Sequence, residues 1–228
     1  MGTVFITGAN RGLGLEFVKE FTENNYEVIA TCRDLKSSRD LSSLAKSSSS
    51  INLHQLDVSN TKSIRDLANQ LQDKPIDILI NNAGIYRSGI FNSVNKDSWI
   101  ESFITNTIGP YEVIEHFLPN VLQGHEKKVI SITSKMGSID DNTSGGSYIY
   151  RSSKTALNSM MRSLTHDLKS HNIATMTLHP GWVRTDMGGP GGWIDVTESV
   201  SGMIQRIKDL SLQNTGQYID YAGKLIKW

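Results

Sequence analysis

The stretch Val4-Phe5-Ile6-Thr7-Gly8-Ala9-Asn10-Arg11-Gly12-Leu13-Gly14 decides the fold. It opens with an apolar run typical of a buried strand, and apolar residues recur at helical spacing after it. Between a strand and a helix, a glycine-rich loop can bring backbone N–H groups up to a pyrophosphate. Gly8, Gly12 and Gly14 follow the spacing G-x-x-x-G-x-G, which differs from the commoner G-x-G-x-x-G fingerprint. In this context a bound dinucleotide is favoured over a glycine-rich turn without a ligand.

Strand-like and helix-like stretches alternate along the whole chain. Further strands are predicted at about 28–32, 51–56, 76–80, 129–133, 174–178 and 218–221, and longer helices at about 60–73, 96–123, 147–170 and 197–212. Gly109-Pro110 is expected to interrupt the second of these helices. About seven strands in such an alternation predict an α/β protein, with residues 1–228 as a single Rossmann-type domain. Its doubly wound, mostly parallel sheet is expected to carry helices on both faces.

Bulk composition narrows the class of protein and its partners. Hydrophobic residues make up 38% and charged residues 20%, as in an ordinary soluble globular protein. Lys and Arg total 23, as do Asp and Glu, and this zero net charge argues against nucleic acid or an anionic membrane as main partner. The start of the chain lacks a secretory pattern, no apolar run could span a membrane, and the one cysteine, Cys32, excludes an internal disulfide. We therefore expect a cytoplasmic protein.

Residues with unusual chemistry follow the predicted strands. Beyond the glycine loop they are Arg33, Asp57, Asn81-Asn82-Ala83-Gly84, Ser134 and Pro180-Gly181. The carboxyl ends of parallel strands share one edge of the sheet, and that edge is where such folds bind ligands. The sequence therefore predicts one site assembled from distant segments.

The residues after the second predicted strand bear on the choice of dinucleotide. Cys32 stands about where an acidic residue would hold the adenosine ribose of NAD, and Arg33 follows it. With Arg11 in the glycine loop, two guanidinium groups without a facing carboxylate favour a 2′-phosphate, and hence NADP (NADPH). The alternatives are a solvated Arg33 without a role and, because Asp34 is near, NAD as second choice.

Tyr150 and Lys154 stand four residues apart on one face of a predicted helix. A phenol ordinarily has a pKa of about 10, and an adjacent ammonium lowers that pKa, which makes the phenol a better acid or base near neutrality. The same spacing also arises by chance on exposed helices. Tyr148 is a rival tyrosine, but it has no lysine four residues later.

Several motifs occur in the order and at the spacing that one family uses. They are Thr7-Gly8-Ala9-Asn10-Arg11-Gly12-Leu13-Gly14, Asn81-Asn82-Ala83-Gly84, Asn106, Ser134, Tyr150 with Lys154, and Pro180-Gly181. On these motifs the chain resembles the short-chain dehydrogenase/reductases over its whole length. Residues 10–15, 150–158 and 179–189 are similar to the sniffer-like carbonyl reductases, a branch that includes the C-factor signalling proteins.

The resemblance implies a role for each catalytic position. Tyr150 would exchange a proton with the carbonyl oxygen, and Lys154 would lower the pKa of Tyr150 and bind the nicotinamide ribose. Ser134 would hold the substrate oxygen, and Asn106 would anchor a water that links Lys154 to solvent. The cofactor-binding residues it implies are Gly8, Asn10, Arg11, Gly12, Leu13, Gly14, Arg33, Asp57, Val58, Asn82, Ala83, Gly84, Tyr150, Lys154, Pro180, Gly181, Val183 and Thr185.

Two parts of the expected site have alternatives or an undefined role. Ser131 and Thr133 are rival hydroxyls to Ser134, although strand alternation and the family pattern both favour Ser134. The segment between Ser134 and Tyr150 is expected to form part of the substrate rim. Residues 188–193, rich in glycine and ending in a tryptophan, are expected to form a mobile lid.

The expected function is NADPH-dependent reduction of a ketone, aldehyde or quinone, with Tyr150 as general acid. The alternative is a dinucleotide-binding signalling or regulatory protein of the C-factor type with secondary enzymatic activity. The histidines and the one cysteine show no metal-ligand spacing, so no metal is expected. An apolar stripe within residues 157–168 reads as core or as a subunit interface, and the resemblance implies a homodimer or homotetramer.

Overall fold

The computed structural model describes residues 1–228 and joins seven strands in one sheet. The strands are β1 (Thr3–Ile6), β2 (Glu27–Cys32), β3 (Ile51–Gln55), β4 (Ile78–Asn81), β5 (Lys128–Ile132), β6 (Ala174–His179) and β7 (Gln217–Asp220). They lie in the order β3-β2-β1-β4-β5-β6-β7, and every neighbouring pair is parallel. The chain turns from one half of the sheet to the other between β1 and β4, which is where such sheets open a ligand crevice. The predicted parallel, doubly wound sheet is confirmed.

Helices cover both faces of this sheet. They are α1 (Gly12–Glu23), α2 (Arg39–Ser47), α3 (Thr61–Gln70), α4 (Lys96–Phe103), α5 (Gly109–Gln123), α6 (Tyr148–Leu168) and α7 (Val196–Asp209). Successive side chains of a strand point to opposite faces of the sheet and so enter two separate cores. Val4 and Ile6 pack with α1 and α7. Phe5 packs with α5, and its ring centroid lies 4.4 Å from that of Phe117. Because both faces of the central strands are buried, the sequences of β1 and β4 are mostly apolar.

The expected interruption at Gly109-Pro110 is wrong, because the helical backbone continues through it. A π-helical turn, Ile104–Ile108, joins α4 to α5, and Gly109 has helical dihedrals. Pro110 has no N–H and cannot bond the carbonyl four residues back in an α-helix, so a wider turn accommodates it. Gly109 N–H bonds the Ile104 carbonyl instead, and a side chain at Gly109 would overlap the Val58 carbonyl.

Other boundaries shift by a few residues. Ser147 adopts a left-handed conformation (φ 46°), so α6 begins one residue later than predicted, and α7 ends at Asp209 before the predicted Leu212. Asn60 caps α3, its side chain accepting from Ser63 N–H. The apolar stripe of α6 belongs to the core, because Leu157, Met161 and Leu168 are buried against the sheet. No helix combines the length and apolar character needed to cross a membrane.

Candidate active site

The glycine loop lies against the end of β4, and its residues Gly8 and Gly14 have no room for a side chain. A methyl group on Gly14 would overlap the Gly8 carbonyl and stand 2.6 Å from Asn82 Nδ2. That amide donates to the carbonyls of Thr7 (2.9 Å) and Gly8 (3.1 Å), and the Thr7 hydroxyl accepts from the N–H groups of Asn82 and Ala83 (both 3.0 Å). Gly8 also requires a positive φ of 66°. The two predicted motifs, residues 7–14 and 81–84, are therefore hydrogen-bonded to each other; together they are called the cradle below.

Helix α1 begins at this cradle with no side chain capping its first turn. Arg11 occupies the N-cap position without a side-chain capping bond, and the first turn carries no acidic residue. The uncapped N–H groups and the helix dipole favour an anion at this point. Arg11 Nη1 donates to Asp186 Oδ2 (2.8 Å), with both side chains well exposed. The expectation that no carboxylate faces Arg11 is therefore wrong.

Arg33 lies just beyond β2, where it is exposed and takes part in none of the ion pairs of the molecule. Its neighbour Asp34 is held by its own loop: Lys36 N–H donates to Oδ1 (2.9 Å) and thereby lowers the pKa of that carboxyl. Asp57, beyond the adjacent strand β3, accepts through Oδ1 from the N–H and the hydroxyl of Ser59 (2.9 and 2.6 Å). The Arg33 guanidinium is thus available to a ligand.

The segment after β6 lies over the glycine loop. Gly181, with φ 85°, turns the chain so that Val183 is buried and Thr185 packs on the loop. A Cβ added at Gly12 would stand 3.5 Å from the Thr185 methyl group. Thr185 therefore borders the glycine loop, whereas the cofactor contacts expected of Pro180, Gly181 and Val183 stay predictions.

The expected lid is a loop that is hydrogen-bonded to itself. Trp182 Nε1 donates to the Gly188 carbonyl (2.8 Å), Trp193 N–H donates to the Trp182 carbonyl (2.8 Å), and Gly188 N–H donates to Thr185 Oγ1 (3.0 Å). The two indoles meet edge to face at 5.2 Å, yet Trp193 remains 78% exposed. The mobility of this loop stays a prediction.

Tyr150 and Lys154 lie on the buried face of α6, with 8% and 5% of their surfaces exposed. Lys154 Nζ donates to the Ile132 carbonyl at the end of β5 (2.9 Å) and stands 5.9 Å from the centroid of the Tyr150 ring. A Cβ added at Gly84 would lie 3.6 Å from Lys154 Nζ, so the absence of a side chain there leaves the ammonium approachable. Helix α6 and the carboxyl ends of β4 and β5 therefore bring Lys154, Gly84 and Ile132 together.

Burial dominates the ionisation of both side chains. It raises the pKa of Tyr150 to about 12, and the Ser134 hydroxyl acts in the opposite direction. It lowers the pKa of Lys154 to about 8, because no carboxylate compensates the buried ammonium. In this structure the Ser134 hydroxyl is the group that opposes the effect of burial on the phenol pKa, and the effect expected of Lys154 stays a prediction. Tyr150 is a neutral phenol at neutral pH.

Asn106 is fully buried in the π-helical turn, and both the oxygen and the nitrogen of its side-chain amide have partners inside the protein. Oδ1 accepts from Ile85 N–H (2.8 Å), while Nδ2 donates to the Ile85 carbonyl (2.9 Å) and to Ser153 Oγ (3.0 Å). The amide therefore ties the segment after Gly84 to helix α6. The backbone carbonyl of Asn106 is the group for which Pro110 provides no N–H.

The three candidate hydroxyls, Ser131 in β5 and Thr133 and Ser134 just after it, differ in what they contact. Ser131 donates to Met161 Sδ (3.1 Å) and Thr133 to Asn158 Oδ1 (2.7 Å), and both are buried. Ser134 is only partly buried, and its Oγ accepts from Met136 N–H (3.2 Å). The two rivals are occupied inside the protein, which favours Ser134 as the hydroxyl open to a substrate.

The sequence match decides the family. The family model of the short chain dehydrogenases matches residues 2–191, which span every segment of the site described above. The chain is a short-chain dehydrogenase.

Individual relatives and structures agree with that assignment. The C-signal of Myxococcus xanthus is 40% identical over 168 residues, 72% of this chain and 100% of that protein. The carbonyl reductase Sniffer of D. melanogaster superposes with a TM-score of 0.94 at 33% identity and 100% coverage of both chains. An NADPH-bound carbonyl reductase from chicken fatty liver gives a TM-score of 0.94 at 35% identity, covering 99% of this chain and 98% of its own.

Two tyrosines of this short-chain dehydrogenase adjoin the site without having been predicted. The Tyr86 ring lies 5.0 Å from that of Tyr150, and Tyr218, in the last strand, donates its hydroxyl to the Ser134 carbonyl (2.6 Å). Tyr86 follows Gly84 by two residues and could have been suspected from that position. Nothing in the sequence around Tyr218 marks it. No group of three or more His, Cys, Asp or Glu side chains is placed to hold a metal ion.

Proposed function

We propose that this short-chain dehydrogenase is an NADPH-dependent carbonyl reductase that acts on ketones, aldehydes or quinones. One observation carries the proposal. The Tyr150 phenol, the Ser134 hydroxyl and the Lys154 ammonium lie together at the sheet edge that also holds the glycine loop and the uncapped start of α1. A site for nucleotide binding alone has no need of a buried neutral phenol next to a hydroxyl. Two structures with the same fold are titled carbonyl reductases, and one of them is NADPH-bound.

The residues present fit a dinucleotide phosphate. The cradle and the uncapped start of α1 suit the pyrophosphate, and Arg33 suits a 2′-phosphate because its guanidinium has no competing carboxylate. When bound, NADPH supplies a hydride from its nicotinamide ring. Lys154 would bind the ribose hydroxyls beside that ring, and Thr185 would contact the carboxamide.

Tyr150 and Ser134 divide the work at the substrate oxygen. Tyr150 donates its proton to that oxygen, and its high pKa keeps the phenol protonated throughout the neutral range. Ser134 donates a hydrogen bond to the same oxygen, where negative charge develops as the hydride arrives. Because the Asn106 side-chain amide is engaged with Ile85 and Ser153, its backbone carbonyl is the group we expect to hold a water near Lys154.

Substitution of Tyr150 tests this function. Purified protein should consume NADPH in the presence of a panel of carbonyl compounds, and Tyr150→Phe should lower kcat by roughly 10²- to 10⁴-fold while NADPH still binds. Tyr111→Phe is the matched control, because Tyr111 is 40% exposed on α5 and its hydroxyl donates only to the exposed Glu115 (3.1 Å), and it should keep the wild-type rate. An unchanged rate in Tyr150→Phe would falsify the mechanism.

A second candidate function is signalling, which the similarity to the C-signal favours. The same two variants separate the candidates in a cellular assay. A signalling phenotype that survives in Tyr150→Phe would support the second candidate, and one that disappears with turnover would support the reductase. A homodimer or homotetramer remains a prediction, which light scattering of the purified protein can decide.

A further inference from the structure

We propose that Tyr218 is a positioning residue that sets the direction of the Ser134 hydroxyl; the catalytic consequence of this proposal rests on the proposed function. Tyr218 lies in β7, the edge strand, 84 residues from Ser134 in the chain. It does not belong to any of the motifs that define the site. Its effect would be transmitted through the backbone of Ser134 and not through contact with substrate.

The Ser134 carbonyl receives two hydrogen bonds that together fix its peptide plane. Gly137 N–H donates from within the short 3₁₀ turn Lys135–Gly137 (2.8 Å), and Tyr218 Oη donates from β7, which β6 separates from β5 (2.6 Å). A carbonyl oxygen has two lone pairs, so both are used. The bond from Gly137 is local and moves with the turn, whereas the bond from Tyr218 ties the turn to the sheet.

Tyr218 is itself held firmly. Only 1% of its surface is exposed, its ring packs 5.3 Å from the Trp228 ring, and burial raises the pKa of its hydroxyl, so it stays a donor. The Trp228 carbonyl accepts from the N–H groups of Ile139 and Asp140 (both 3.2 Å), just beyond the turn. Tyr218 therefore holds the start of the segment 134–140, and Trp228 holds its end.

Further hydrogen bonds hold the residues on both sides of Ser134 and its hydroxyl. Asn158 accepts from Thr133 (2.7 Å) and donates to the Gly137 carbonyl (3.2 Å), which clamps both flanks of the turn onto α6. Ser134 Oγ accepts from Met136 N–H (3.2 Å), so rotation of the turn redirects the hydroxyl. Small misplacements of a catalytic group cost large factors in rate, and that is why a remote bond matters here.

The test removes only the hydroxyl. Tyr218→Phe keeps the ring contact with Trp228 and deletes the bond to Ser134; we expect kcat to fall about tenfold with the KM for NADPH unchanged, because the cofactor cradle is untouched. Tyr221→Phe is the matched control, since Tyr221 follows the same strand and its hydroxyl reaches only the exposed Glu198 at 3.5 Å. It should behave as wild type.

A double-mutant cycle with Ser134→Ala separates positioning from general stability. In the Ser134→Ala background, Tyr218→Phe should have no further effect on kcat, because the hydroxyl that it positions is gone. An equal fall in both backgrounds would overturn the proposal, as would a crystal structure of Tyr218→Phe in which Ser134 Oγ has not moved. The crystal structure decides the positioning even if wild type reduces no carbonyl compound, an outcome that would count against the proposed function alone.

Discussion

The two ends of the site are built in opposite ways. At the catalytic end, Asn106 and Lys154 are buried, their polar atoms have partners inside the protein, and the pKa of Lys154 is strongly lowered. At the nucleotide end, Arg11 and Arg33 are exposed and hold at most one surface ion pair. The difference indicates that the protein holds the groups of the proposed catalytic end in place before a ligand binds, whereas a bound ligand can position the exposed arginines. Buried polar groups carry large energies, and exposed charges carry small ones.

The largest effect is expected from Asn106→Ala. The substitution removes three hydrogen bonds and leaves the N–H and carbonyl of Ile85 without partners, so the free energy of unfolding should fall by about 3 kcal/mol. Asn60→Ala, which removes an exposed helix cap, should cost only about 1 kcal/mol. Denaturant unfolding of the two variants measures both values. Equal losses would mean that burial of the Asn106 amide has no special weight.

The next effect concerns the buried ammonium and depends on pH. The pKa of Lys154 is lowered to about 8 in the folded state against 10.5 ordinarily, so the folded protein binds fewer protons than the unfolded chain between these values. Stability of wild type relative to Lys154→Met should therefore rise by about 2 kcal/mol from pH 8 to pH 10. Lys62→Met, at an exposed lysine, should give a difference that is flat over this range. A flat difference for Lys154→Met as well would contradict the burial of a charged lysine.

At the nucleotide end, Arg33→Ala should change cofactor choice without changing stability. Loss of a charge-assisted contact to the 2′-phosphate should raise the KM for NADPH by roughly ten- to a hundredfold, and the KM for NADH much less. Steady-state kinetics with both nucleotides gives the comparison. An equal rise in the KM for NADPH and in the KM for NADH would contradict the assignment of Arg33 to the 2′-phosphate.

The smallest effect is expected from Asp186→Asn. This change frees Arg11 from an exposed ion pair, and such pairs contribute at most about 1 kcal/mol. The KM for NADPH should therefore fall by no more than about fivefold, and the effect should fade as salt is added. A change that persists at high salt would show that Asp186 acts on the loop and not through the charge of Arg11.

The sequence predicted the elements whose signals are local. The strand–loop–helix pattern at Gly8 to Gly14 and the carboxyl ends of the strands could be predicted, because hydrophobic periodicity and glycine act within a few positions. The Gly109-Pro110 pair was misread, since a π-helical turn can absorb a proline that ordinarily breaks a helix. The partner of Arg11 was missed because Asp186 lies 175 residues away.

By itself, then, the sequence determined the parallel fold, and it predicted the edge on which the ligand site lies and the polar groups of that site. Only the tertiary structure decided how those groups are held: the hydrogen bonds of the buried Asn106 amide, the burial that shifts the pKa values of Tyr150 and Lys154, and the bond from Tyr218 to Ser134. The physical reason is that burial and long-range hydrogen bonds depend on which distant strands and helices become neighbours, and no short pattern of residues records that.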